Sequence, residues 1–486
     1  MPVSAQRLLT LDSCRAMALR NNKQVGISKV KQDVAMNVRK SARTKYLPHV
    51  SALGTYQYTS RQVELLSDDQ KSTLNNLGTN TATDLQSGLN AITSSEPMQN
   101  IATVLGVLGM DLSVLHQLTG QGLQNVAAKL NGLGEGLVDA LDTDTRHLFA
   151  GTVMLVQPVF MGGSLIAINK MADINEEMQR NSATAVRQST IYSTDKAYWL
   201  VVSLKHKQKL AEGYLNLLKK LNDDVHKMID EGVATRSDGL SVDVKLNEAE
   251  MTLTKVSNGL VLSKMLLCQT IGLPVNEEIT LADEDVENIA VVNLSPAPNV
   301  EMAVENRPEL KMLENGVQLT RQLTNVLKAG NLPMVALTGG YVVSNPNVLN
   351  GFQRKFGGFW NVGVLVRVPI WNWGDVMYKV RASKGATSIA TLELAEAREK
   401  IELQVNQNTF RVNEANKTLT MSQANIARAE ENLRTANIGF REGVITPTTV
   451  MEAQTAWLQA QSQKIDAEID VKLSQVDLQK SLGVLE

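Results

Sequence analysis

The chain is poor in aromatic residues, in long apolar runs and in any excess of charge of one sign. Aromatic residues make up 4% of its 486 residues, and 48 basic side chains are balanced by 50 acidic ones. The balanced charge argues against a basic surface for nucleic acid, so no nucleic-acid partner is expected. No apolar run approaches the roughly 20 residues of a membrane-spanning helix. Any membrane contact would therefore have to be made by strands.

The sequence also lacks the residue patterns that carry catalysis or bind metal. Its five histidines are scattered, and no phosphate-binding loop, nucleophile elbow or dinucleotide fingerprint is present. Cys14 and Cys268 lie on predicted helices without zinc-like spacing. A disulfide between them is compatible with an oxidising compartment, although two buried free thiols are the favoured interpretation. We expect neither an enzyme nor a protein that holds a metal or a cofactor.

The first residues have the pattern of a signal-peptidase site. Val3-Ser4-Ala5 is a small-x-small sequence, and an amphipathic helical pattern follows Gln6. We interpret residues 1–5 as the tail of an export signal. A plain irregular start accounts for this feature equally well.

The second part of the chain repeats the first at a constant offset. The motif at Gly232 (EGVAT) returns at Gly443 (EGVIT), 211 residues later. The same offset relates two more pairs, namely Pro158 with Pro369 and Gly272 with Gly483. Self-similarity of this kind indicates two copies of one structural unit.

Near the start of each copy the offset is larger. Pro48 and Pro333 are 285 residues apart, so the first copy contains an insertion between Pro48 and Pro158. We expect one repeat at residues 6–290, with a helical insertion at about 61–148, and a second repeat at 291–486.

Each copy is predicted to contain two strands of the length that a tilted membrane strand requires. In the clearest strand, large apolar residues alternate with others: Trp360, Val362, Val364 and Val366 share one face, and Arg367 lies on the other. Lipid outside and water inside would suit this pattern, and so would a soluble sheet with its apolar side inward. The predicted strands are at about 50–60, 151–160, 335–345 and 360–370, with Pro48, Pro158, Pro333 and Pro369 at strand–helix junctions.

Very long helices are predicted after each strand pair. Residues 375–440 contain no proline and carry a heptad pattern in which large residues such as Val412 and Leu419 alternate with small ones such as Ala415 and Ser422. We expect antiparallel coiled-coil helices at about 164–270 and 375–482. Four strands are too few to close a barrel, and open sheet edges in hydrocarbon are costly. Closure therefore requires several identical chains.

In this order, the motifs resemble those of the TolC-like outer-membrane efflux proteins over nearly the full length. The markers are Leu9-Thr10-Leu11, residues 16–22, Tyr46-Leu47-Pro48, Pro158, Pro369, Gly232, Gly443 and Ser481-Leu482-Gly483. Each marker is weak alone, and their repetition at a fixed offset makes the resemblance specific.

The resemblance implies a mixed membrane β-barrel and α-helical barrel. A homotrimer would contribute four strands per subunit to one barrel in outer-membrane lipid, and the helical tunnel would lie in the periplasm. It further implies a passive duct of a tripartite efflux or type I secretion system, for small molecules or proteins. Its partners would be a periplasmic adaptor (membrane fusion) protein and an inner-membrane transporter. The alternative is a periplasmic coiled-coil adaptor or structural scaffold without a transmembrane barrel.

The resemblance also places a periplasmic constriction at the turns after the long helices. Asp238 and Glu452 match acidic positions there, and Thr449 stands where another acid is usual. Solvated helix-end charges are an equally good interpretation of these carboxylates.

The tip turns and gate are expected at Gly232, Arg236, Phe440, Glu442 and Gly443. Two residues of the family's polar latch differ, because Phe440 stands for a tyrosine and Ile445 for an arginine. An ion pair between Arg236 and Glu442 would be a substitute for this latch.

The insertion at about 61–148 carries leucines at helical spacing, interrupted by glycines. It replaces a short extracellular connection. One interpretation is an external helical cap without a specific role, and the other is a segment that folds over or into the barrel mouth and restricts it.

Overall fold

The structure, a computed structural model, describes residues 7–58, 78–79, 82, 127–129, 132, 147–286, 289, 297, 299–345, 347, 349 and 355–485. The predicted signal tail at residues 1–5 and most of the insertion lie outside this part of the chain. In chain order the elements are β1 (Arg7–Leu9), α1 (Leu11–Asn21), α2 (Lys23–Thr44), β2 (His49–Tyr58), β3 (His147–Met161), α3 (Ser164–Asp230), α4 (Arg236–Ile271), β4 (Ile279–Leu281), α5 (Val300–Asn306), α6 (Pro308–Lys328), a 3-10 turn (Ala329–Asn331), β5 (Met334–Asn345), β6 (Gly357–Arg367), α7 (Asp375–Arg441) and α8 (Pro447–Leu482).

The chain divides into two compact units. One comprises Met1–Val30, Asn181–Lys311 and Glu396–Glu486, and the other Lys31–Arg180 and Met312–Ala395. The first contains mainly helices, and the second contains the larger sheet. Among the described residues, no helix is both long and apolar enough to cross a membrane.

The larger sheet is antiparallel throughout, in the order β2-β3-β5-β6. Its strands begin and end within a few residues of the predicted ones, with one exception. Strand β3 starts at His147 and continues past Pro158 to Met161, so Pro158 lies inside the strand and not at a junction. The register shifts between Pro158 and Phe160, because proline has no N–H to give to the ladder and is tolerated at an irregularity.

A second sheet was not predicted. Strands β1 and β4 pair in parallel, with Leu9 opposite Leu281, and both side chains are buried. Three residues are too few to display a periodicity, so the sequence carries no strand signal there.

The core of the first, mainly helical unit (the helical unit) encloses both cysteines. Cys14, Tyr198, Leu267 and Cys268 are fully buried in one cluster. Both thiols are free, and burial raises the pKa of Cys14 to about 12. Burial also raises the pKa of Cys268, so both thiols are protonated near neutral pH.

Helices α7 and α8 pack through small residues. Ala415 and Leu419 of α7 form a buried cluster with Ala467 and Val471 of α8. Ala415 is 2% exposed, so the predicted alternation of large and small side chains lies in a tightly packed seam.

Candidate functional site

The larger sheet has two chemically different faces. On one face large apolar side chains are exposed, for example Val362 at 74% and Val364 at 55%. This apolar face comprises Val50, Tyr56, Tyr58, Phe149, Val153, Leu155, Leu337, Tyr341, Trp360, Val362, Val364 and Val366. The opposite, polar face carries smaller and more polar residues, including Ser51, Thr152, Thr338, Gly340, Asn361 and Gly363. In soluble proteins an exposed apolar surface of this extent marks a contact with lipid or protein.

Aromatic side chains cluster at both ends of the apolar face. At one end the Tyr56 ring lies tilted against the Phe149 ring, with ring centroids 4.6 Å apart. Beyond the other end of β6, Trp371 and Trp373 are 74% and 85% exposed and meet edge to face. Amphipathic rings at two levels that bracket an apolar band are typical of membrane strands, because such rings favour the lipid–water interface.

The turns at Gly232 and Gly443 are closed by equivalent hydrogen bonds. The Gly232 N–H donates to the carbonyl of Ile229, and the Gly443 N–H donates to that of Phe440, each at 3.0 Å. Both glycines have positive φ, 76° and 73°, which favours glycine after a helix. Each turn therefore directs the chain into the next long helix, α4 or α8.

The acidic candidates differ in their surroundings. Asp238 completes a capping box: it accepts from the Thr235 hydroxyl at 2.7 Å and from the Thr235 N–H at 3.0 Å. These bonds lower the pKa of Asp238, so the carboxylate stays charged. Thr449 is the equivalent residue of α8: its N–H donates to the Thr446 hydroxyl, and the two hydroxyls also contact each other. Glu452 is exposed on the first turns of α8.

Phe440 and Ile445, where the resemblance implies a polar latch, belong to a hydrophobic cluster. Phe440 is buried with Val225 and Val450, and Ile445 packs against the same cluster. Within the described chain, no ion pair joins Arg236 to Glu442, and both residues are exposed. At these positions the turn is thus held by apolar packing, a feature that sequence reasoning missed although both apolar substitutions were visible.

Two helices of the helical unit expose apolar stripes. On α4 the stripe comprises Leu240, Val244, Met251, Leu262 and Leu266, which recur at helical spacing on one side. On α7, Leu403, Phe410 and Met421 share a face and are 58–74% exposed. Side chains of this size on one helix face are normally covered by a neighbouring element.

Comparison with known proteins connects these features to one family. Residues 299–484 match the family described as outer membrane efflux protein. Outer membrane efflux protein BepC of Brucella suis is 22% identical over 343 residues, covering 70% of this chain and 73% of its own. Outer membrane protein TolC of Vibrio cholerae is 21% identical over 349 residues, covering 70% and 77%. The chain is thus similar to outer-membrane efflux proteins, through residues 299–484 for the family and over 70% of its length for the two relatives.

The fold is also similar to that of solved outer-membrane channels. The CmeC outer membrane channel of Campylobacter jejuni superposes with a TM-score of 0.72 at 13% identity, covering 98% of this chain and 86% of its own. Among the described residues, no group of three or more His, Cys, Asp or Glu side chains is placed to hold a metal ion.

Proposed function

We propose that the chain is the outer-membrane duct of a tripartite efflux or type I secretion system, a homotrimer through which small molecules or proteins pass without chemistry. The observation that carries the proposal is the larger sheet. Its apolar face is exposed between two aromatic levels, and its edge strands β2 and β6 each have only one partner among the described strands. Unpaired edges in hydrocarbon would cost several kcal/mol per backbone group. Three such sheets joined edge to edge would make a closed barrel of twelve strands.

The exposed stripes support the same oligomer. In a ring of subunits, the Leu240–Leu266 side of α4 would contact a helix of the neighbouring chain, and the Leu403–Met421 side of α7 offers such a surface. The residue of α8 that corresponds to Leu240 is Met451, which is 6% exposed. A difference of this kind between equivalent helices is expected where one is covered by its own chain and the other by the next subunit.

The chain contains two structural repeats in this proposal, 6–290 and 291–486. Equivalent hydrogen bonds at Gly232 and Gly443 support the repeat, and so do the contacts of Gly272 and Gly483. Gly272 lies against Asn21, and Gly483 lies against Asn306. Asn21 and Asn306 are 285 residues apart, the offset of the leading part of each copy.

At the periplasmic tip, Asp238 and Glu452 would form threefold carboxylate rings that favour cations. Thr449, Gly232, Arg236, Phe440, Glu442 and Gly443 would shape the constriction and its opening. An adaptor protein and an inner-membrane transporter would dock on this end of the duct, as they do in the systems to which such ducts belong.

The experiment is purification of the full chain from membranes. We expect extraction only with detergent, as a trimer that dissociates on heating, with ohmic single channels in planar bilayers. A chain that is soluble without detergent and does not conduct would be an adaptor or scaffold, and the duct would be excluded.

A further inference from the structure

The polar face of the larger sheet is partly covered by its own chain, although the apolar face is open. On the polar face, Leu148, Val342 and Ser344 are 7%, 6% and 3% exposed. Their neighbours on the apolar face, Phe149 and Tyr341, are 39% and 50% exposed. The two faces therefore differ in exposure, and described residues from outside the sheet lie over the polar one.

Two described residues of the insertion lie there. Lys129 and Gly132 line a cavity of about 350 Å³ together with polar-face residues. The polar-face lining includes Thr152, Met154, Thr338, Gly340, Asn361 and Gly363. A methyl group on Gly363 would lie 3.6 Å from the Lys129 Nζ. The ammonium group is thus directly over the sheet.

We propose that Lys129 and Gly132 lie inside the barrel and narrow it, and that Lys129 lines the remaining passage and favours anionic solutes. This inference rests on the proposed function, because the polar face is the water-facing one only if the apolar face meets lipid. An external cap would lie beyond the strand ends. Lys129 instead reaches the middle of the sheet, where Thr338 pairs with Gly363.

The lining explains the expected preference. Hydroxyl and amide groups of Thr152, Thr338 and Asn361 suit a water-filled gap and carry no charge. Lys129 supplies a positive charge next to them, and three copies in a trimer would give the passage a positive potential. Such a potential raises the local concentration of anions in a narrow low-dielectric channel.

Cysteine cross-linking tests which side of the sheet Lys129 occupies. Lys129→Cys is combined with Thr338→Cys, or with the matched control Leu337→Cys, the neighbouring residue on the apolar face. The native thiols are buried, so a short bismaleimide can react only with the introduced pair of cysteines. We expect the 129–338 pair to cross-link within one subunit and the 129–337 pair not to. Equal cross-linking of both pairs, or none of the first, would overturn the inference.

Reversal potentials across a KCl gradient test the charge. Lys129→Gln and then Lys129→Glu should raise the potassium-to-chloride permeability ratio stepwise, by about twofold or more per step, whatever the starting ratio that the tip carboxylates set. A permeability ratio that stays constant in both variants would remove Lys129 from the passage. Channels that conduct while the 129–338 pair fails to cross-link would refute this inference alone. A cross-linked protein that never conducts would instead refute the duct.

Discussion

Arg15 of α1 and Asp195 of α3 form a bidentate ion pair, with Nε 2.8 Å from Oδ1 and Nη2 2.6 Å from Oδ2. The Asp195 side chain is fully buried, while that of Arg15 is 23% exposed. The pair joins two helices 180 residues apart in sequence. Burial raises the pKa of Asp195, and the hydrogen bond from Arg15 opposes that rise.

Arg15→Ala should destabilise the chain by about 3–5 kcal/mol, because it leaves a buried carboxylate unpaired. Arg434→Ala is the matched control, since Arg434 makes a pair of similar geometry to Glu431 on an exposed helix surface, where such pairs contribute little. Thermal unfolding in detergent compares the two. Similar melting temperatures for both variants would contradict a structural role of the buried pair.

The loss of stability caused by Arg15→Ala should be smaller at acidic pH. Without Arg15, the folded-state pKa of Asp195 lies further above its unfolded value. A carboxyl group whose folded pKa is raised loses stability as pH rises from the unfolded pKa through the folded one. The difference in unfolding free energy between wild type and variant should therefore be smaller near about pH 4 than at neutral pH. A difference independent of pH would show that Asp195 does not carry the effect.

Gly272→Ala should destabilise the chain more than Gly232→Ala. Both glycines have nearly the same positive φ, 77° and 76°, which costs an alanine about 1–2 kcal/mol. Only at Gly272 would the new Cβ also collide, at 2.6 Å from the Asn21 Cβ. The measurement is thermal unfolding of both variants. Equal losses of stability in the two variants would mean that α1 moves away from the new methyl group at no cost in free energy.

Ala415→Leu should destabilise by about 1–3 kcal/mol per subunit, because it overpacks the seam between α7 and α8. Ala427→Leu on an exposed side of the same helix is the control. Trimer melting is followed by heated gel electrophoresis. Normal melting of the Ala415 variant would show that the seam is not tightly packed.

Val364→Lys should impair barrel assembly by about 2–4 kcal/mol, since it places a charge among lipid tails. Asn361→Lys on the polar face should be tolerated, because its charge can reach water. The yield of heat-sensitive trimers in membranes distinguishes them. The reverse order of yields would place lipid on the polar face.

Glu452→Gln should lower the potassium-to-chloride permeability ratio while the trimer keeps its stability, since the exposed side chain loses only its charge. Reversal potentials under a salt gradient measure the effect. An unchanged potential would exclude Glu452 from the constriction and leave it a solvated charge at a helix start.

Local sequence determined much of this protein. Pro447 and Gly483 delimit α8, and Gly232 and Gly443 end the long helices before them, because proline and glycine act on the backbone wherever they occur. The alternation from Trp360 to Val366 fixed which side chains share a face. The same alternation could not distinguish lipid from protein as the environment of that face.

Tertiary structure decided what depends on residues distant in the chain. The pairing of β1 with β4, the burial of Asp195 beside Arg15 and the position of Lys129 over Gly363 each join segments that no local pattern relates. Such contacts are selected by the burial and hydrogen bonding of the whole fold, and a three-residue strand or a single ion pair leaves no periodic trace. Phe440 illustrates both contributions. Its place in the heptad is evident from the sequence, but its packing with Val225 and Val450 depends on how the turn folds.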